Sequence, residues 1–210
     1  MTDYPDLYAD LTAYTGRDER LVRARCQTAI VELAWLWERY QHNPTAYYSE
    51  TDLYLFDLTE YQAALRRGGM HTDFQAEIEA HGWRTGLDFG GGIGEWAMLA
   101  ANAGVDMAYH DLYPGQTWDY AAWRFQRHGS PVRMIERDPL AQRYDFIVIM
   151  DVLEHLPDPD ALLAQLARRT EWIFANPDQL RYDWPQPQHI SHYDLHPNWV
   201  QRGVYLWQRK

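Results

Sequence analysis

The chain has 210 residues, which suits one domain with an extension or two small ones. With 46% hydrophobic and 23% charged residues it is composed like a globular protein, and a net charge of −11 with scattered Lys and Arg argues against a nucleic-acid partner. No run of about 18 apolar residues offers a membrane span, the start MTDYPDLYAD is unlike a secretory segment, and the lone Cys26 allows no internal disulfide, so a cytoplasmic protein without a membrane partner is expected.

Residues 1–80 read as helical. Thr15 followed three residues later by Asp18 resembles a capping box. Beyond it Val22, Cys26, Ile30, Leu33, Trp37 and Tyr40 recur at three- and four-residue spacing, which predicts an amphipathic helix with Cys26 in its core face. His42-Asn43-Pro44 ends that helix, because proline cannot continue it. Further helices are expected over 53–65, closed by Gly68-Gly69, and over 73–80, closed by Gly82. The segment between the first two, Tyr47 to Tyr54, concentrates aromatic and acidic groups. Ten Trp and fifteen Tyr exceed what packing asks for, so Tyr47, Tyr48 and Tyr54 are candidates for substrate binding.

From Thr85 onward strands alternate with helices. A strand runs into glycines, and a helix over 95–103 follows. Then come a strand over 105–110, a helix over 117–128 and a strand over 132–135. The continuous apolar run Phe146-Ile-Val-Ile-Met150 predicts a strand buried on both faces of a parallel sheet. A helix over 160–169 and a strand over 172–175 complete the series. The fold expected is α/β, a Rossmann-like, doubly wound and mostly parallel sheet. Only 196–200 and 204–207 remain for the rest of the sheet, which predicts an edge cut short, to as little as one strand.

Three motifs carry chemistry. In Leu87-Asp88-Phe89-Gly90-Gly91-Gly92-Ile93-Gly94 the glycines allow a backbone to approach a ligand, and the helix start beyond them favours negative charge. Asp111 ends the next strand, about 17 residues past Gly94, where doubly wound folds place a carboxylate for ribose hydroxyls. Asp151-Val-Leu-Glu-His155-Leu-Pro-Asp-Pro159 follows the fourth strand, whose carboxyl end faces the ligand crevice.

LDFGGGIG, Asp111 and YDFIVIMDVLEHLPDP together resemble the class I S-adenosylmethionine-dependent methyltransferases, closest to the branch acting on small molecules, over Thr85 to Asp178. The resemblance implies S-adenosylmethionine as cofactor and a small-molecule methyl acceptor. It places Gly90, Gly92 and Gly94 against the methionine part, Asp88 behind the loop and its ammonium, and Asp111 on the ribose. Asp138 matches the position facing the adenine amino group, with Glu136 nearly as well placed, and Asp151 joins the cofactor-binding set. Residues 1–80 have no counterpart in the shared core and are expected to cap the 81–210 domain on its substrate side.

His155 is a candidate general base, with loop packing as its bland alternative. His189 corresponds to a family position near the substrate and is the second catalytic candidate; His192 is assigned to substrate binding. In the run from His189 to His196, a strand would align His192, Asp194 and His196, whereas a helix would pair His189 with His192. No metal-site spacing is matched, so no metal is assigned. Methyl transfer asks mainly for alignment, which explains the lack of a nucleophile triad. A nicotinamide oxidoreductase would need glycine at position 95, which is Glu95. A non-catalytic binding protein on the same fold is the other alternative.

Overall fold

Parallel strands covered on both faces need apolar side chains at every position, and β4, Phe146–Ile149, supplies four wholly buried ones. The computed structural model describes residues 4–176 and 187–210. Its sheet has the order β3-β2-β1-β4-β5-β7-β6. β1 (Thr85–Phe89), β2 (Asp106–His110), β3 (Arg133–Met134), β4 and β5 (Trp172–Ala175) run parallel. β7 (Leu206–Arg209) is antiparallel to both β5 and β6 (Trp199–Gln201). The chain therefore leaves β1 for β2 on one side and reaches β4 on the other, so the switch point lies between β1 and β4, where open α/β sheets bind ligands.

Successive side chains of a strand point to opposite faces. Phe146 and Val148 meet Phe74, Trp96 and Phe125 of α5 (Met70–His81), α6 (Glu95–Asn102) and α7 (Gln116–His128). Ile147 and Ile149 meet Leu163 and Leu166 of α8 (Pro159–Leu166), together with Tyr193, Leu195 and Trp199. A third cluster joins α1 (Leu7–Thr15), α2 (Glu19–Tyr40) and α4 (Leu53–Arg67) to Tyr120 of α7 and to Ile93 beside the glycines. A fourth, aromatic cluster holds α2, α3 (Pro44–Glu50) and α4 together through Trp37, Tyr47 and Tyr54.

Several expectations need correction. The sheet edge is short but contains two strands, β6 folding back onto β7 through a turn in which the Arg202 and Gly203 amides donate to the Leu206 carbonyl. Thr15 is the last residue of α1, its hydroxyl bonded to the Leu11 carbonyl, and Asp18 caps α2 by accepting the Arg20 N–H. Pro44 does not merely end α2: with Asn43 accepting the Ala46 N–H, it starts α3. Residues 187–196 form neither strand nor helix, so neither periodicity applies to the histidine run. Among the described residues no helix is long and apolar enough to cross a membrane.

Candidate functional site

The glycine loop bridges β1 and α6 at the carboxyl edge of the sheet. Gly90, Gly92 and Gly94 have φ of 68°, 54° and 74°, the left-handed region that a side chain resists. A Cβ on Gly90 would sit 2.6 Å from Val152, and one on Gly92 2.9 Å from Leu58 of α4. The loop is thus both left-handed and tightly overlaid. Its amides are tied to β2: Gly90 and Gly91 donate to the His110 carbonyl at 2.8 and 3.1 Å.

Asp111, at the end of β2, accepts the Gly92 N–H at 2.7 Å and the Leu112 N–H at 2.6 Å. The Tyr109 hydroxyl donates to the Gly92 carbonyl at 2.7 Å and lies 3.3 Å from the same Asp111 oxygen. Burial pushes the Asp111 carboxyl up, and the loop amides pull it back. Asp88 sits behind the loop, 1% exposed, and accepts the Ala97 N–H at 3.1 Å, so it caps α6 from the neighbouring strand. Burial pushes it up to about 8. Asp138 is exposed, at φ 53°, in the loop after β3. It is separate from the hydrogen-bonded loop cluster, and Glu136 is also exposed. The residues fit a nucleoside with an amino-acid tail: a loop of left-handed glycines, a carboxylate at the second strand's end and a helix start converge at the switch point. Position 95 is no turn glycine. Glu95 is 2% exposed and ion-paired with Arg124 at 2.8 Å and with Arg66.

A second group lies beyond β4. Asp151 is left-handed at φ 57°, unusual outside glycine and asparagine, and the chain then makes a single 3₁₀ turn over Leu153–His155. That turn brings His155 against His189, ring centres 4.8 Å apart. It also brings His155 to the helical layer: the Tyr48 hydroxyl is 2.9 Å from His155 Nδ1. The Gln188 carbonyl, 3.2 Å from the same nitrogen, can only accept, so Nδ1 carries the proton and Nε2 the lone pair. Burial holds both imidazoles below the usual histidine range.

The other sequence-predicted residues divide. Tyr47 is wholly buried, its hydroxyl donates to the Leu33 carbonyl at 2.9 Å, and its ring meets Trp37, Tyr48 and Tyr54. Tyr54 is 8% exposed and lies 5.1 Å from the Tyr48 ring. His192 is exposed. Asp57, Tyr61 and Glu154 belong to this group and were not anticipated. Burial raises all three, with the Asp151 charge adding, and Asp57 reaches about 7. Tyr54, Asp57 and Tyr61 recur at helical spacing on one side of α4, a polar-aromatic stripe that was visible in the sequence.

Residues 47–201 match the model of a protein family described as a methyltransferase domain. No curated protein matches the chain. Among solved structures, the N-terminal domain of EvdMO1, determined in the presence of SAH and D-fucose, aligns with a TM-score of 0.51 at 16% identity, covering 67% of this chain and 82% of that one. TehB from Haemophilus influenzae aligns with a TM-score of 0.49 at 16% identity, covering 61% of this chain and 50% of that one. At these identities the likeness is one of fold.

Proposed function

We propose that this chain, which belongs to the methyltransferase-domain family and is a class I S-adenosylmethionine-dependent methyltransferase, methylates a small molecule held beneath the helices of residues 1–80. The observation that carries the acceptor side is the Tyr48–His155 contact, 2.9 Å across 107 residues of chain. It sets the helical layer against the loop after β4, beside the glycine loop that Val152 and Leu58 already touch.

When bound, S-adenosylmethionine supplies a methyl group already activated on a sulfonium. The residues have a lighter task than in hydrolysis: to hold cofactor and acceptor in line and exclude water. The left-handed glycines and Asp111 hold the methionine part and the ribose, Asp88 keeps the loop on α6, and Asp138 meets the adenine edge. Asp151, just past the carboxyl end of β4, would border the cofactor. Tyr48 and Tyr54 offer flat apolar faces with hydroxyls to the acceptor, and Tyr47, locked in the core, holds Tyr48 in place. His192 contributes from the rim. His155, with its Nε2 lone pair, is the base for a hydroxyl or amine nucleophile, with His189 beside it. The Asp151 carboxylate favours a neutral or cationic acceptor over a phosphorylated one.

Transfer of labelled methyl from S-adenosylmethionine to a panel of hydroxylated and amine-bearing small molecules tests this reading. Turnover of a member of the panel is expected. His155→Ala should lower that turnover by roughly 100-fold or more at nearly unchanged cofactor affinity, the effect of a lost general base. Tight binding of NAD with none of S-adenosylmethionine would overturn the assignment.

A further inference from the structure

Sequence spacing gave no metal-site pattern, but the fold assembles one from three distant places. Asp151 ends β4, His155 closes the 3₁₀ turn and His189 comes from the segment after β5, and their donor atoms lie within 4.8 Å of one another. Ligands about 2.1 Å from a tetrahedral ion stand about 3.4 Å apart, so the widest pair has to close by up to about 1.4 Å, within reach of side-chain rotation. The Gln188 carbonyl, 3.2 Å from His155 Nδ1, can only accept, which favours the tautomer that keeps the lone pair on Nε2. Such an outer hydrogen bond fixes the tautomer of metal-bound histidines. The backbone contributes as well. Asp151 sits in a left-handed turn, and the Ile190 and Ser191 amides donate to the Glu154 carbonyl at 2.9 and 3.1 Å, pinning the His189 segment beside the 3₁₀ turn. Glu154 adds a second carboxylate, 4% exposed, whose Oε2 has no hydrogen-bond partner among the described residues.

We infer that Asp151, His155 and His189 form a binding site for a divalent cation of borderline softness, of the Mn²⁺, Co²⁺ or Zn²⁺ kind. Two imidazoles and a carboxylate suit such ions better than Mg²⁺ or Ca²⁺, which prefer oxygen alone. Three protein ligands leave positions open for oxygen donors, as at catalytic rather than structural sites. An ion on His155 Nε2 occupies the lone pair that a base would use, so the base role proposed for His155 belongs to the metal-free protein, and methyl transfer itself requires neither.

The test uses the full chain, freed of metal by chelation, without cofactor or acceptor. Co²⁺ is added and followed by calorimetry and by its visible absorption. One ion per chain is expected to bind. His155→Ala, His189→Ala and Asp151→Asn are each expected to weaken it by at least about tenfold. Asparagine is chosen at 151 because it tolerates left-handed backbone, and circular dichroism checks that each variant is folded. His192→Ala and His196→Ala, in the same run but outside the set, should bind as wild type. Absence of Co²⁺ binding, retention by the three variants, or loss in the two controls overturns the site; Mg²⁺ binding as tightly as Co²⁺ overturns the ion class. Cofactor affinity measured on the same metal-free protein reports on the methyltransferase reading separately.

Discussion

Asp111 joins the glycine loop to the end of β2 through one carboxylate, in the proposed cofactor site. One oxygen takes the Gly92 amide at 2.7 Å and the other the Leu112 amide at 2.6 Å, so it fixes the loop before any ribose arrives. Asp111→Ala should therefore weaken S-adenosylmethionine binding by about 1.5–3 kcal/mol, the range for a hydrogen bond to a charged group. Calorimetric titration of the folded variant measures it, and unchanged affinity would remove Asp111 from the site. Gly92 makes a sharper case. At φ 54° a branched residue is strained, and its Cβ would stand 2.9 Å from Leu58 before its methyl groups are counted. Gly92→Val is expected to lose cofactor binding altogether while costing roughly 1–3 kcal/mol of stability, as one strained backbone position does. A variant that stays folded and binds normally would reduce the glycine loop to a turn.

At the scale of elements, the helical layer meets the strand ends through α3, and Tyr48 is the residue at the meeting point. Tyr48→Phe keeps the ring packing against Tyr47 and Tyr54 but removes the oxygen 2.9 Å from His155 Nδ1. We expect a raised KM or a lowered kcat for the acceptor, with cofactor affinity nearly unchanged. Steady-state kinetics in both substrates, alongside cofactor titration, separates these. Truncating Tyr47 to Ala would be uninformative, since emptying a wholly buried aromatic site costs about 3–5 kcal/mol of stability by itself. How legible these elements were follows from local physics. β4 and β5 announced themselves as short apolar runs because burial on both faces leaves no polar position, and β1 by the glycines it runs into. β3 is two residues long, since only Arg133 and Met134 pair with β2, and no pattern shows where such pairing stops. α3 was missed because Asn43-Pro44 is at once a stop for α2 and a start for α3, and the sequence shows only one event. The proposed cofactor half of the site is legible as a candidate because its glycines and strand-end carboxylate lie within one βαβ stretch. The acceptor half was not, because Tyr48, Asp57, His155 and His189 become neighbours only through the packing of α3 and α4 on the sheet's carboxyl edge.

Across the whole molecule, buried charges fasten the N-terminal helices to the cofactor domain. Arg124 of α7, 0% exposed, reaches Asp10 of α1 at 3.1 Å, the Ile93 carbonyl at 2.7 Å and Glu95 of α6 at 2.8 Å. Arg66 of α4 closes on the other Glu95 oxygen. Asp10 also meets Arg127 at 3.4 Å and His128 at 2.9 Å, so both acids are offset, and the guanidiniums of Arg124 and Arg66 hold Glu95 below its usual range against its burial. His71 of α5 sits on this network with Nδ1 3.7 Å from Glu95, its ring on Trp96 and Nε2 3.2 Å from the Gln62 amide oxygen. Burial dominates there and pushes the imidazole down to about 4, with Glu95 pulling it up and the two arginines opposing. A lowered folded-state value means that between pH 6.5 and 4 the unfolded chain takes up a proton that the folded chain refuses. Stability from this group is therefore complete above about pH 6.5 and is lost as the pH falls toward 4, by up to about 3 kcal/mol at about 1.36 kcal/mol per pKa unit. His71→Phe retains the ring against Trp96 and removes the titration. Although it should be less stable than wild type at pH 7, because the Gln62 oxygen loses its donor, its urea-unfolding free energy should fall less steeply with acid through that window. Parallel slopes for the two proteins would show that His71 is protonated in the fold, paired with Glu95 as a cation, and that the network carries one more positive charge than its arginines supply.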